Sequence, residues 1–154
     1  MYVFPFSVQK LQKGFTIVEF ILVIALMALV ALLTVQSLHP YLSKNRLQGA
    51  ADTLVSDIRE IQQSTLTHQQ SYSLVFTYPN MYSVWQDTNL MKEVVLPAGI
   101  ELGAFHGLST GPSISFLYNG AASDAGSIEL TDPSRGLTII VELKTTGSVL
   151  WRFQ

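Results

Sequence analysis

The chain has 154 residues, 48% of them apolar, with nine basic and eleven acidic side chains and a net charge of −2. That length accommodates one small domain beyond a membrane helix. Mild acidity gives no electrostatic reason to bind nucleic acid, and the absence of cysteine excludes a disulfide framework for any exported part.

Residues 1–14, MYVFPFSVQKLQKG, carry Lys10 and Lys13 and no acid, and Pro5 discourages an early helix. They read as a leader, to be left out of fold reasoning. Without them the count is seven basic against eleven acidic residues, a net charge of −4.

From Phe15 to Val35 run 21 residues in which only Thr16, Glu19 and Thr34 are polar. At about 1.5 Å per residue this is roughly 32 Å of helix, enough to cross a bilayer core. The lysines before it predict a cytoplasmic N-terminus and export of the chain beyond Val35. Glu19 is out of place. An acid inside such a helix costs up to about 3 kcal/mol and calls for a partner. Periodicity and charge alone leave open a plain signal anchor, with Glu19 tolerated near the interface. A secretory signal cut after its apolar region also stays open, although no A-x-A site comes after it.

Gly14-Phe15-Thr16-Ile17-Val18-Glu19 resembles the processing site of type IV prepilins and pseudopilins, with Ile17-Val18 in place of the usual Leu-Ile. The resemblance implies cleavage between Gly14 and Phe15 by a prepilin peptidase, methylation of the new Phe15 amine, and retention of the apolar helix. It also gives Glu19 a partner, the N-terminal ammonium of a neighbouring subunit in a filament core. In low dielectric such opposite charges attract strongly, and either alone is costly to bury. Residues 15 and 19 are also i and i+4 on a helix, so a waiting subunit could partly neutralise itself.

Pro40 can bend the helix beyond the apolar run. Leu47, Ala50, Ala51, Leu54, Ile58, Ile61 and Leu66 then recur at three- and four-residue steps, with Lys44, Gln48, Asp52, Ser56, Arg59 and Gln63 mostly opposite. This predicts an amphipathic helix over 36–68 that lays one stripe on a sheet. Lys44-Asn45-Arg46-Leu47-Gln48-Gly49-Ala50-Ala51 is similar to the minor pseudopilin H and FimT-like branch.

From Gln70 the period changes to two. Leu74, Phe76 and Tyr78 alternate with Ser73, Val75 and Thr77; Ile114, Phe116 and Tyr118 form a second set, and Leu137, Ile139, Val141 and Leu143 a third. Val149, Trp151 and Phe153 continue the pattern. Turn residues separate the runs, as at Pro79-Asn80, Asn119-Gly120 and Thr146-Gly147. The runs 128–131, 137–143 and 148–153 are expected to form a meander. Helix first and strands after predicts an α+β, pilin-like fold with an antiparallel β head. Tyr82-Ser83-Val84-Trp85, Val95-Leu96-Pro97-Ala98-Gly99-Ile100 and Thr146-Gly147-Ser148-Val149 also resemble the head pattern of the same branch. The expected organisation is a leader over 1–14, a transmembrane or filament-core helix over 15–35, its amphipathic continuation over 36–68 and the β-rich head over 69–154.

Gly107-Leu108-Ser109-Thr110-Gly111 satisfies G-x-S-x-G, but Pro112 and a strand come next instead of a helix, and His39, His68 and His106 all precede Ser109. A surface loop is expected there. The histidines lack metal spacing, and Asp124, Glu129 and Asp132 lack a calcium-loop pattern. No cofactor, metal or catalytic group is expected, so the chain reads as a non-enzyme. Trp85 and Trp151 are expected in the core.

The resemblance implies a minor pilin or pseudopilin. Its partners would be other pilins, the prepilin peptidase and the inner-membrane assembly platform, and it would be single-pass in the cytoplasmic membrane with the head exported. The alternative is a DNA-binding minor pilin of a competence system. Only Lys144 and Arg152 speak for it near the C-terminus, with Glu142 close by, so DNA is not an expected partner.

Overall fold

A computed structural model describes residues 14–109 and 111–154; within them, the side chains of 33–40 fall outside the description. The leader up to Lys13, and Thr110 of the G-x-S-x-G segment, lie outside the described residues. A helix, α1 (Ile17–His68), precedes eight strands: β1 (Tyr72–Thr77), β2 (Met81–Gln86), β3 (Asn89–Val95), β4 (Glu101–His106), β5 (Ser113–Phe116), β6 (Gly126–Asp132), β7 (Leu137–Leu143) and β8 (Val149–Phe153). The chain divides into two compact units on either side of the His39–Pro40 bond.

In the first unit the helix begins at Ile17 rather than at Phe15, because Thr16 takes the capping position. Apolar side chains from Phe15 to Leu32 are exposed around the helix. Among the described residues no helix is long and apolar enough to cross a membrane. Pro40 lies within α1 and does not end it.

The second unit holds two antiparallel four-stranded sheets. Sheet A has the order β3-β2-β1-β5 and sheet B the order β4-β6-β7-β8. Period-two alternation sets the inner faces: Tyr72, Leu74 and Phe76 of β1 are buried, as are Ile128 and Leu130 of β6 and Ile139, Val141 and Leu143 of β7. The expected meander is β6-β7-β8. The amphipathic stripe of α1 joins the same core through Leu47, Ala50, Ala51, Leu54, Val55, Ile58 and Ile61. Leu66 departs from the expected stripe: it is 58% exposed, and Thr65 is buried in its stead, its hydroxyl satisfied by the Gln62 carbonyl at 2.7 Å. A short polar side chain that bonds its own helix can be buried at little cost.

Neither tryptophan is in the core. Both are half-buried: Trp85 donates its indole N–H to buried Ser83 Oγ at 2.8 Å, and Trp151, packed against the core, donates to exposed Asp52 Oδ1 at 2.7 Å. The second bond ties β8 to α1, and Gln62 Nε2, donating to the Gly147 carbonyl at 2.8 Å, ties the β7–β8 turn to it. Gly147, at φ +86°, lets that turn come so close to Gln62 that a Cβ would lie 2.9 Å from its amide nitrogen.

The β6–β7 turn is held by Asp132, which is buried. The Ser134 hydroxyl, then the Ser43 hydroxyl, the Ser134 N–H and the Arg135 charge hold its carboxyl below the usual range, against the opposing effect of burial. A depressed folded pKa contributes stability that is present above the unfolded value, about 3.9, and lost as pH falls through the folded value. A fragment of residues 40–154 is therefore expected to unfold cooperatively. Its urea midpoint should fall as the pH drops below about 4, and Asp132→Asn should flatten that segment of the profile. A midpoint indifferent to pH there would show that this carboxylate carries no linkage.

Candidate functional site

Glu19 sits in the first turn of α1, three residues after the capping Thr16. Glu19 N–H donates to Thr16 Oγ1 at 3.2 Å, while Glu19 Oε2 accepts both the Thr16 N–H and the Thr16 hydroxyl at 3.0 Å. This is a reciprocal capping box, in which the two side chains satisfy helix-start donors that the helix cannot. The Phe20 N–H closes the first turn on the Thr16 carbonyl at 3.1 Å. Thr16-x-x-Glu19 is the sequence signature of this box, a signal hidden when Glu19 is read only as a misplaced charge.

Gly14 and Phe15 precede the cap and lie outside the helix. Among the described residues nothing comes within 4 Å of where a Gly14 Cβ would stand, and Phe15 is 79% exposed. Gly14 and Phe15 are thus both exposed among the described residues, and neither is helical. In this uncleaved chain the i, i+4 geometry expected for residues 15 and 19 does not arise, since Phe15 is not helical. Oε2 of Glu19 is engaged by Thr16, and Oε1 has no hydrogen bond within the described residues.

The head holds a polar constellation that sequence reading missed. Asp57, 5% exposed, lies on the buried stripe of α1. Its Oδ2 accepts the Tyr82 hydroxyl of β2 and its Oδ1 the Lys92 ammonium of β3, both at 2.7 Å. Burial, with the Asp57 hydrogen bond and charge adding to it, pushes the Tyr82 hydroxyl pKa far up. The phenol therefore stays a donor. The available signal was an acid among Leu54, Ile58 and Ile61 on the apolar face, which requires a partner.

The G-x-S-x-G segment brings no triad together. Ser109 donates its hydroxyl to Asp124, and His106 faces Glu129 at 3.2 Å. Asp132 is engaged by Ser134, and the His68 ring meets the Ser64 carbonyl at 3.1 Å. The side chain of His39 lies outside the described residues. Among the described residues no group of three or more His, Cys, Asp or Glu could hold a metal ion.

No protein-family model matches the chain, and no curated protein does. Solved structures do. The minor pseudopilin EpsH of the Vibrio cholerae type 2 secretion system superposes with a TM-score of 0.58 at 11% identity, over 70% of this chain and 97% of that one. The type IV minor pilin FimU of Pseudomonas aeruginosa gives 0.58 at 12% identity, over 73% and 92%. A second EpsH structure gives 0.55 at 11% identity, over 71% and 97%. At these identities the likeness is one of fold. The chain has a pilin-like fold, an N-terminal helix packed on an antiparallel β head.

Proposed function

We propose that this protein is a minor pilin or pseudopilin, a structural subunit of a type IV pilus-like or type II secretion filament. The observation that carries the reading is the pilin-like fold joined to exposed, non-helical Gly14 and Phe15 directly before a capped apolar helix. In this reading residues 1–14 are the leader and 15–35 the span in the cytoplasmic membrane and then in the filament core. Residues 36–68 continue the helix, and 69–154 are the exported head. The prepilin peptidase cuts after Gly14, Phe15 is methylated, and the subunit joins other pilins from an inner-membrane platform. The segment 44–51 and the head motifs support a place in the H and FimT-like branch, and so a low-copy position at or near the tip.

Glu19 suits this role chemically. Thr16 fixes one carboxylate oxygen in the first turn, leaving Oε1 to meet an ammonium. The competence alternative finds less support. Arg152 already bonds Glu142 at 2.7 Å, which leaves exposed Lys144 as the one of the two C-terminal cations without an ion pair among the described residues, whereas DNA binding by counterion release needs several cations on one face.

Intact-mass measurement of the protein from its own membrane tests the reading. The expected mass is that of residues 15–154 with one added methyl group. A chain beginning at Met1, or cut after Val35, overturns it.

A further inference from the structure

The edge of sheet A is open over a short stretch. β3 bonds only to β2, and Leu96 N–H donates to the Asn80 carbonyl at 2.7 Å just past the register pairs Met81↔Val95, Tyr82↔Val94 and Ser83↔Glu93. Antiparallel ladders alternate bonded and non-bonded pairs, so Val94 bonds to β2 as Leu96 does. The N–H and C=O groups of Glu93 and Val95 therefore point away from β2. Both residues are exposed, and no backbone bond from another described segment takes these groups up. The stretch is bounded at both ends. The register shifts before Glu93, where Met91 is left unpaired between Leu90 and Lys92, and Pro97 beyond Val95 has no N–H.

Beside this edge runs α1. Arg46, Gly49, Ala50 and Thr53 recur on one helix face and, with Tyr82 and residues 94–97, bound a groove of about 350 Å³. The lining is almost wholly apolar and contains no carboxylate. Its two side-chain hydroxyls are engaged, Tyr82 by Asp57 at 2.7 Å and Thr53 by the Gly49 carbonyl at 2.8 Å. Arg46 is the one charged side chain of the lining; it is exposed and has no ion pair among the described residues. Gly49 keeps the groove wide. No described atom lies within 4 Å of where its Cβ would stand, although a glycine inside a helix costs about 1 kcal/mol against alanine.

We propose that this groove captures the C-terminus of a partner polypeptide, its last residues extended against Glu93 and Val95, its final apolar side chain in the groove and its terminal carboxylate on Arg46. Each part of the site asks for one part of that ligand. Free donors and acceptors on a strand edge select an extended backbone. An apolar lining without a spare polar group selects an apolar side chain, since a polar one would be buried unpaired. A guanidinium without a counter-charge selects a carboxylate, which it can meet with two parallel bonds. A chain end fits better than a strand running through, because the bulge and Pro97 leave only Glu93 and Val95 to pair. All of these residues belong to the head, so the proposal stands or falls separately from the filament reading.

The test uses the full chain in phosphatidylcholine nanodiscs, isotope-labelled for amide hydrogen exchange. The probe is a short synthetic peptide, valine and threonine alternating with leucine last, made with a free terminal carboxylate and as its amide. At millimolar concentration the acid form should slow exchange at Glu93 and Val95 at least about tenfold and leave the β8 amides unchanged. The amide form should bind about tenfold or more weakly, and Arg46→Gln should weaken the acid form to the level of the amide. Gly49→Leu, which meets no described atom in the free head, should abolish the protection while the α1 amides exchange as slowly as before. Unchanged exchange at Glu93 and Val95, equal binding of acid and amide, or acid binding indifferent to Arg46→Gln overturns the proposal, as does protection that survives Gly49→Leu. Concentration-dependent protection without peptide would give the edge to a second copy, and protection by phosphatidylglycerol alone would give the groove to a lipid; either overturns it.

Discussion

Glu19→Ala is expected to leave the chain inserted and cut after Gly14, yet to lower its entry into filaments by about a hundredfold or more. Two effects of the change can be separated by size. Losing the capping box costs the helix about 1 kcal/mol, less than a factor of ten. Burying the Phe15 ammonium in a filament core without its counter-charge costs several kcal/mol, and each 1.4 kcal/mol is tenfold. The charge effect dominates. Insertion should be unharmed, because the apolar helix loses an acid that resists burial in lipid. Glu19→Gln keeps an acceptor for the Thr16 N–H and hydroxyl but not the charge, so a milder defect is expected. The measurement is recovery of tagged variants in filaments sheared from cells without the native copy. If Glu19→Ala is recovered like the wild type, Glu19 has no role in assembly.

Much of the fold was legible because two periodicities differ so plainly. The stripe from Leu47 to Ile61 marks one helix face, and alternation along β1, β6 and β7 marks which side chains turn inward. Partnering was legible for the β6-β7-β8 meander but not for the crossings between sheets. β4 leaves sheet A for sheet B, β5 returns to pair with β1, and β6 crosses again to pair with β4. Alternation records which face is apolar, not which neighbour a strand finds, so two sheets and one sheet leave the same pattern. Linking bonds such as Leu102 N–H to the Pro79 carbonyl, at 2.7 Å, belong to the backbone and leave no mark in side-chain composition.

The site was legible in chemistry but not in geometry. An acid in an apolar helix demands a partner, and that argument finds Glu19 without coordinates. It does not find that Thr16 occupies one of its oxygens, or that Phe15 stands outside the helix. In the head the same logic applied to Asp57 would have asked for a partner, but Lys92 and Tyr82 are 35 and 25 residues away. No local spacing rule reaches that far.

Lys92→Met is expected to destabilise the head more than Asp57→Ala does, although Asp57 is the buried partner. What remains after each change decides the order. Methionine keeps the stem of Lys92 but leaves the Asp57 carboxylate, 5% exposed, with only the neutral Tyr82 hydroxyl. Breaking a fully buried pair this way costs about 3–5 kcal/mol. The Lys92 side chain is 46% exposed, and solvent screening brings the figure down to about 2–3 kcal/mol. Asp57→Ala instead removes the buried charge and lets Lys92 turn to water. It strands one buried hydroxyl, Tyr82, at about 1–2 kcal/mol. The double variant should cost little more than Asp57→Ala alone, so the two changes should couple by at least about 1 kcal/mol. Urea unfolding of the 40–154 fragment and its three variants measures all of this. Additive losses would show that the two side chains act independently. A larger loss for Asp57→Ala than for Lys92→Met would mean that the carboxylate stabilises the head through Tyr82 and its packing on α1, and that Lys92 is only a surface charge beside it.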